Sequence, residues 1–112
     1  MSQPAPDVSV QAAADAAASN SALLLDVRED DEWAAGHAEA AVHMPLSALD
    51  VGNVPRDRPV IAVCRSGNRS GQAAAALAQA GLQVANMAGG MNAWAAAGLP
   101  VVDADGRPGE IT

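Results

Sequence analysis

Short apolar runs recur along the chain, separated by polar or glycine-containing connections. Three of them have the length and apolar content of buried strands. These runs are Leu23–Val27, Val60–Cys64 and Val84–Met87. The first is almost continuously apolar, which is typical of a strand covered on both faces. A shorter run, Val8–Val10, forms either an edge strand or the approach to a helix with Ser9 as its N-cap.

Segments with helical composition alternate with these strands. The predicted helices are Gln11–Ala18, Glu29–Ala35, Gln72–Ala80 and Met91–Ala97. A short strand around Val42 and one helical turn at Leu46–Leu49 are expected between the second helix and the Val60 strand. Strands that alternate with helices form a mainly parallel sheet. The sequence therefore predicts an α/β fold, with a central, mainly parallel sheet flanked by helices on both faces.

A chain of 112 residues is long enough for one compact core. We expect a single domain over residues 7–102, with a disordered lead at 1–6 and a flexible tail at 103–112, because both ends are polar and contain proline or glycine. Half of the residues are apolar, but the only aromatic residues are Trp33 and Trp94. With so little other aromatic mass, both tryptophans are expected to be core anchors rather than substrate platforms.

The net charge of the protein limits which macromolecules are expected to bind it. Six arginines and no lysine oppose thirteen acidic residues, which gives a formal net charge of −7. Nucleic acids and anionic membranes attract a net basic surface, so neither is expected to bind here. The sequence shows no signal peptide and no apolar stretch long enough to cross a membrane. A cytoplasmic location is the resulting expectation.

A single cysteine excludes an internal disulfide and a zinc finger within this sequence. The two histidines and the scattered acids have no recognisable metal-ligand spacing, so no metal and no cofactor are expected. The single cysteine is Cys64, and no second thiol in this chain can react with it once it has been chemically modified. Any acceptor for a group carried on that sulfur must therefore come from outside the chain.

The central apolar run ends in this cysteine, Cys64, and a polar loop follows it. The candidate anion-binding residues of the loop are Arg65, Ser66, Gly67, Asn68, Arg69 and Ser70. Parallel sheets carry their chemistry at the carboxyl ends of strands. Inward-facing amides, a helix N-terminus capped by Ser70 and two nearby arginines would each favour a thiolate, which predicts a lowered pKa for Cys64. The alternative, a buried and inert cysteine, is disfavoured by these electropositive neighbours.

Four segments in order resemble the rhodanese (sulfurtransferase) family. The loop Cys64–Ser70 resembles its active-site loop, and Leu24–Arg28 followed by Glu32-Trp33 resembles its Leu-Asp-Val-Arg and Glu-aromatic segment. Gly36-His37 through Met44-Pro45 and Gly89-Gly90 through Val101 are similar to two further family segments. The resemblance extends over about residues 8–101, nearly the whole chain. The family's Ile, Pro and Gly are replaced here by Ala38, Glu39 and Ala40, and the loss of Gly and Pro changes the backbone angles allowed to that loop.

The resemblance implies roles for residues outside the loop. In rhodaneses, the acid corresponding to Asp26 braces the active-site loop by pairing with a loop arginine, here expected to be Arg69. A solvated charge pair beside a turn is the alternative for Asp26. Arg28 either faces the bound anion or bonds to Glu32, and the sequence does not choose between these two. His37 is expected to be structural, with a hydrogen-bonding role.

The resemblance also implies a reaction. A Cys64 thiolate would take the sulfane sulfur of a small donor, thiosulfate or a persulfide, and hold a cysteine persulfide. Sulfite is the group released when the donor is thiosulfate. The outer sulfur would then pass to cyanide, a small thiol or a protein acceptor in a two-step, covalent scheme. Arg65, next to the nucleophile, is the first choice for direct contact with the donor.

Two other functions are compatible with parts of the sequence. A phosphatase or arsenate reductase of a related fold carries a Cys-x5-Arg loop, whereas Arg69 here gives Cys-x4-Arg, one residue too short to wrap a tetrahedral oxyanion. A rhodanese-like regulatory module or sulfur carrier without turnover is the third possibility. Such modules usually lack the cysteine or the loop charges, and this chain has both.

Overall fold

A computed structural model describes residues 5–112, and residues 1–4 of the predicted lead lie outside this range. The strands are β1 (Asp7–Val8), β2 (Leu23–Asp26), β3 (Val42–His43), β4 (Val60–Val63) and β5 (Val84–Met87). The helices are α1 (Val10–Ala18), α2 (Asp30–Ala35), α3 (Asn68–Gln79) and α4 (Gly90–Ala96). The five strands form one sheet in the order β1-β5-β4-β2-β3, and every pairing in it is parallel. The predicted α/β architecture is confirmed.

The sheet is buried on both faces, which explains its apolar strands. Side chains alternate along β2, so that Leu23 and Leu25 enter one core cluster while Leu24 enters the other. The first cluster is closed by Ala73, Ala74 and Leu77 of α3. The second is closed by Ala13 of α1 and by Met91 and Trp94 of α4. Helices therefore cover both faces, as predicted.

The two tryptophans have different environments. Trp94 is buried, and its indole N–H donates to the carbonyl of Pro100 at 2.9 Å, so its predicted role as a core anchor is confirmed. Trp33 is only half-buried. Its ring stacks on those of His37 and His43, with centroids 3.6 and 4.7 Å apart. The prediction of Trp33 as a core anchor is wrong, because the short helix α2 holds the ring against the two histidines.

Helix α3 begins four residues earlier than the predicted start at Gln72. Its N-cap is Gly67, whose φ of +108° favours glycine, and the helix begins at Asn68. Ser70 therefore lies inside the first turn and is not the N-cap expected from the sequence. No side chain caps this end of the helix. The Ser70 hydroxyl is therefore not used as a cap and can bond to residues near the end of β4.

The connection from β3 to β4 contains two 3₁₀ turns, Leu46–Ala48 and Val51–Asn53. The first matches the predicted helical turn. Val54, which follows the second turn, is buried in the α3-side core. The connection therefore contributes one buried side chain to this core, and partly buried apolar side chains of the same connection pack against it: Met44, Leu46, Leu49 and Val51.

Residues 103–112, predicted as a flexible tail, fold back over α2. The Glu110 N–H donates to the Ala35 carbonyl at 3.0 Å, and the Gly109 N–H donates to the Val101 carbonyl at 2.9 Å. A Cβ at Gly36 would overlap the Glu110 backbone, so glycine permits this close approach. The segment has a defined path in the structure, and its flexibility stays a prediction. Within residues 5–112, no helix has the length and apolar character to cross a membrane; cytoplasmic location stays a prediction.

Candidate active site

Cys64 directly follows β4, at the carboxyl edge of the sheet, and only 1% of its surface is exposed. Its backbone carbonyl accepts a hydrogen bond from the Met91 N–H at 2.8 Å, and the Arg65 carbonyl accepts one from the Asn92 N–H at 3.0 Å. These bonds come from the first turn of α4. The start of the loop is therefore fixed to the N-terminal end of that helix.

Two donor groups lie within hydrogen-bonding distance of the sulfur. The Gly67 N–H donates to Cys64 Sγ at 2.9 Å, and the Ser70 hydroxyl lies 3.2 Å from the same atom. Burial raises the pKa of the Cys64 thiol. Hydrogen bonds from the Ser70 hydroxyl and from loop backbone N–H groups outweigh burial and lower the pKa below its ordinary value. These N–H groups belong to Ser70, Gly67 and Ser66. The sulfur is thus buried but surrounded by donors.

Asn86 of β5 is a member of the site that the sequence analysis missed. Its Oδ1 lies 2.5 Å from Ser70 Oγ, and its Nδ2 donates to the Gly67 carbonyl at 3.2 Å. The same Nδ2 lies 3.3 Å from Asp7 Oδ1. The signal in the sequence was a single amide within an otherwise apolar run. Asn86 links β1 and β5 to the cysteine loop.

Arg69 is held by α2. Its guanidinium binds both carboxylate oxygens of Glu32, at 2.5 and 2.7 Å. This hydrogen-bonded pair lowers the pKa of Glu32 to about 2 and raises the pKa of Arg69. The predicted pairing of Arg69 with Asp26 is wrong, because the α2 carboxylate occupies the guanidinium.

Asp26 instead pairs with Arg28, and both side chains are fully buried. Arg28 Nη2 lies 2.8 Å from Asp26 Oδ2 and also donates to the Gly36 carbonyl at 2.7 Å. Arg28 therefore does not face a bound anion, and its contact with Glu32 is a long one, 3.5 Å to the backbone carbonyl. The pair satisfies carbonyl groups of α2 and its C-terminus. It supports the cysteine loop only indirectly, through the helix that carries Glu32.

The remaining loop residues lie at the surface. Arg65, Ser66 and Asn68 are exposed. Within residues 5–112, the Arg65 guanidinium makes no hydrogen bond or ion pair with another side chain. Of the two loop arginines, Arg65 is therefore the one whose charge is not offset by a bound carboxylate.

His37 is buried beside α2. Its Nδ1 lies 2.7 Å from the Trp33 carbonyl, and its backbone exchanges two hydrogen bonds with Val102. Since a carbonyl only accepts, Nδ1 carries the proton. These contacts give His37 the hydrogen-bonding role that the sequence suggested.

Comparison with known proteins decides the family. The model of the rhodanese-like domain matches residues 9–97. The chain belongs to the rhodanese-like family. A sulfurtransferase of Allochromatium vinosum is 42% identical over 87 residues, which cover 75% of this chain and 81% of that protein. The match supports sulfurtransferase activity at the level of the family.

Solved rhodanese structures have the same fold. A rhodanese-related protein from Thermoplasma volcanium, 29% identical, superposes with a TM-score of 0.81 over 87% of this chain and 97% of its own. A thiosulfate sulfurtransferase from Pseudomonas aeruginosa, 22% identical, superposes with a TM-score of 0.75 over 96% of this chain and 22% of its own, a likeness of fold alone. In this rhodanese-like domain the donor-lined cysteine occupies the carboxyl edge of the sheet.

Proposed function

We propose that this rhodanese-like protein is a thiosulfate sulfurtransferase that works through a Cys64 persulfide. The observation that carries the proposal is the donation from the Gly67 N–H and the Ser70 hydroxyl to the buried sulfur. Both bonds stabilise the thiolate, the form that attacks a sulfane sulfur. Because these bonds favour the thiolate, the proposed mechanism assigns no separate general base.

In the first step, the Cys64 thiolate attacks the outer sulfur of thiosulfate. A bond forms between the two sulfurs, the S–S bond of thiosulfate breaks, and sulfite leaves with the electron pair. In the second step, cyanide or a thiolate attacks the outer sulfur of the persulfide and regenerates the Cys64 thiolate. Since Cys64 is the only cysteine, the acceptor comes from outside the chain.

The donor is an anion, and the loop supplies the charge that receives it. Arg65 is exposed and adjacent to the nucleophile, so we assign it the direct contact with the donor. Arg69 contributes less attraction, because Glu32 offsets its charge. The backbone N–H groups that face the sulfur are placed to stabilise charge on the persulfide as well.

The structure disfavours the phosphatase alternative. An oxyanion-binding arginine must present its guanidinium to the anion. Arg69, the arginine of the Cys-x4-Arg loop, instead has two of its nitrogens on Glu32. The shorter loop and the occupied guanidinium both weigh against phosphate transfer.

Carriage of sulfur to a protein acceptor is a second candidate. With only 1% of the Cys64 residue exposed, the structure would shelter a persulfide from water and from stray thiols. This candidate shares the first chemical step with the sulfurtransferase and differs only in the acceptor.

Steady-state turnover tests the proposal. We expect the wild-type protein to convert thiosulfate and cyanide to sulfite and thiocyanate, and we expect Cys64→Ser to show only the background rate. An exposed arginine away from the loop supplies the matched control, Arg107→Ala, which should retain full turnover. Turnover that survives in Cys64→Ser would refute the mechanism. A wild-type protein that accepts sulfur but does not pass it to cyanide would favour the carrier.

A further inference from the structure

The Ser70 hydroxyl has one proton and two possible acceptors. Its oxygen lies 3.2 Å from Cys64 Sγ and 2.5 Å from Asn86 Oδ1. A hydroxyl donates one hydrogen bond at a time and can accept others. The proton therefore points either to the sulfur or to the amide of Asn86, but not to both.

The orientation of the Asn86 amide is fixed by its other contacts. Its second amide atom faces the Gly67 carbonyl at 3.2 Å and the Asp7 carboxylate at 3.3 Å. A carbonyl and a carboxylate only accept, so this atom is the nitrogen. The oxygen of the amide must then face Ser70, where it can only accept.

The thiol and the thiolate form different hydrogen bonds within the series Cys64 Sγ, Ser70 Oγ and Asn86 Oδ1. A thiol can donate to Ser70 Oγ while Ser70 donates to Asn86 Oδ1, so every member is satisfied. A thiolate needs the Ser70 proton, and Asn86 Oδ1 then loses its donor. We propose that Asn86 is a positioning residue that competes with Cys64 for the Ser70 hydroxyl and so sets how strongly Ser70 donates to the sulfur.

The competition for the Ser70 proton also has a consequence for the proposed sulfurtransferase reaction. This consequence rests on the proposed function, whereas the competition itself does not. When the thiolate attacks, its sulfur loses its charge as the new S–S bond forms. Ser70 can then turn its proton back to Asn86. The hydroxyl would change acceptor twice in each cycle, once as sulfur is taken up and once as it is released.

Charged groups from several elements lie near the hydrogen bonds that join Cys64, Ser70 and Asn86. Asp7 of β1 contacts Asn86, Arg69 of α3 is paired with Glu32 of α2, and the Asp26–Arg28 pair lies at the end of β2. The first turn of α4, which contacts the loop, has no charged residue. Replacing Asn86 by an uncharged residue changes none of these charges, but it also removes the amide contacts to Asp7 and to the Gly67 carbonyl. The effect of losing those two contacts is measured separately in a background that lacks the Ser70 hydroxyl.

Titration of the Cys64 thiol tests the proposal without any sulfur donor. The thiolate fraction is followed by ultraviolet absorbance or by the alkylation rate with iodoacetamide as the pH is varied. Asn86→Leu removes the competing acceptor, and we expect it to lower the pKa of Cys64 by about half to one pH unit, the effect of one hydrogen bond. The exposed amide Asn53→Leu is the matched control and should leave the titration unchanged.

A double-variant cycle separates competition from a structural effect. Ser70→Ala should raise the pKa of Cys64, and in that background Asn86→Leu should cause no further change. An unchanged or raised pKa in Asn86→Leu alone would overturn the proposal, and so would an equal shift with and without Ser70. Asn86→Ala replaces the leucine variant if circular dichroism shows that the latter is unfolded. Since no sulfur transfer is measured, failure here is distinct from failure of the proposed sulfurtransferase.

Discussion

Glu32 of α2 binds the guanidinium of Arg69 through both carboxylate oxygens. The site thus contains a carboxylate within reach of the loop that is proposed to receive an anion. The Glu32 side chain is 15% exposed and the Arg69 side chain 33%, so water screens the pair only in part. Glu32 holds the helix turn in place and at the same time reduces the positive field at the mouth of the site.

Replacing Glu32 should improve the use of thiosulfate. Glu32→Gln removes one negative charge and leaves Arg69 uncompensated, so we expect the KM for thiosulfate to fall by about fivefold, corresponding to roughly 1 kcal/mol. The gain should shrink as salt is added, because salt screens the interaction. Steady-state kinetics at two ionic strengths measures both effects. A KM that rises in Glu32→Gln would show that the carboxylate is needed to place Arg69.

The same pair predicts an acid dependence of stability. The pKa of Glu32 is about 2 in the folded protein, below its ordinary value of 4.5, chiefly because Arg69 hydrogen-bonds to it. A group with a lowered folded pKa stabilises the fold above the unfolded value, and this contribution is lost as the pH falls through the folded value. Wild type should therefore be more stable than Glu32→Gln at pH 7 by about 1 kcal/mol.

Thermal unfolding of both proteins between neutral pH and pH 2 measures this difference. We expect the two melting temperatures to converge over the range from about 4.5 to about 2, the two pKa values of Glu32. A difference that stays constant over that range would show that the carboxylate charge does not carry the effect.

Replacing Arg65 and replacing Arg28 should have different effects, one on donor binding and the other on stability. Arg65→Ala removes an exposed charge next to Cys64, so we expect a KM for thiosulfate raised by about tenfold and an unchanged melting temperature. Arg28→Ala leaves Asp26 buried without its partner, which should destabilise the fold by about 3–5 kcal/mol. Kinetics and thermal unfolding on both variants separate the two roles. Loss of donor use in a stably folded Arg28→Ala would overturn the assignment.

Gly90 should be the least replaceable glycine beside the loop. Its φ is +58°, and a Cβ there would overlap the carbonyls of Cys64 and Arg65. Gly98 has a φ of +74° but open space around its missing side chain. Gly98→Ala should therefore cost only the backbone strain, about 1 kcal/mol, whereas Gly90→Ala should cost about 2–4 kcal/mol and slow the alkylation of Cys64. Equal losses in denaturant unfolding would contradict the close approach.

The sequence predicted the sheet well, because apolar runs such as Leu23–Val27 must be buried, and in a protein of this size the central sheet is the element that is buried on both faces. It did not predict the start of α3. The residue directly before Asn68 is Gly67 rather than a Ser, Thr or Asp whose side chain would mark an N-cap, and the turn into the helix depends on the left-handed conformation of Gly67.

Partners of charged and polar groups were the least predictable part of the site. Arg69 had two acids within reach in principle, and the choice between them depends on how α2 packs over the loop, which no local pattern encodes. Asn86 is one amide in an apolar strand and becomes meaningful only when β5 lies beside β4. Cys64 was predictable because strand, cysteine and loop are contiguous in the chain.

Intact-protein mass spectrometry after incubation with thiosulfate measures whether Cys64 accepts a sulfane sulfur. We expect the wild-type protein to gain the mass of one sulfur atom that cyanide or a reductant removes, and we expect Cys64→Ser to gain nothing. A wild-type protein whose mass does not change, while its Cys64 is still alkylated by iodoacetamide, would contradict the claim that this thiolate accepts a sulfane sulfur.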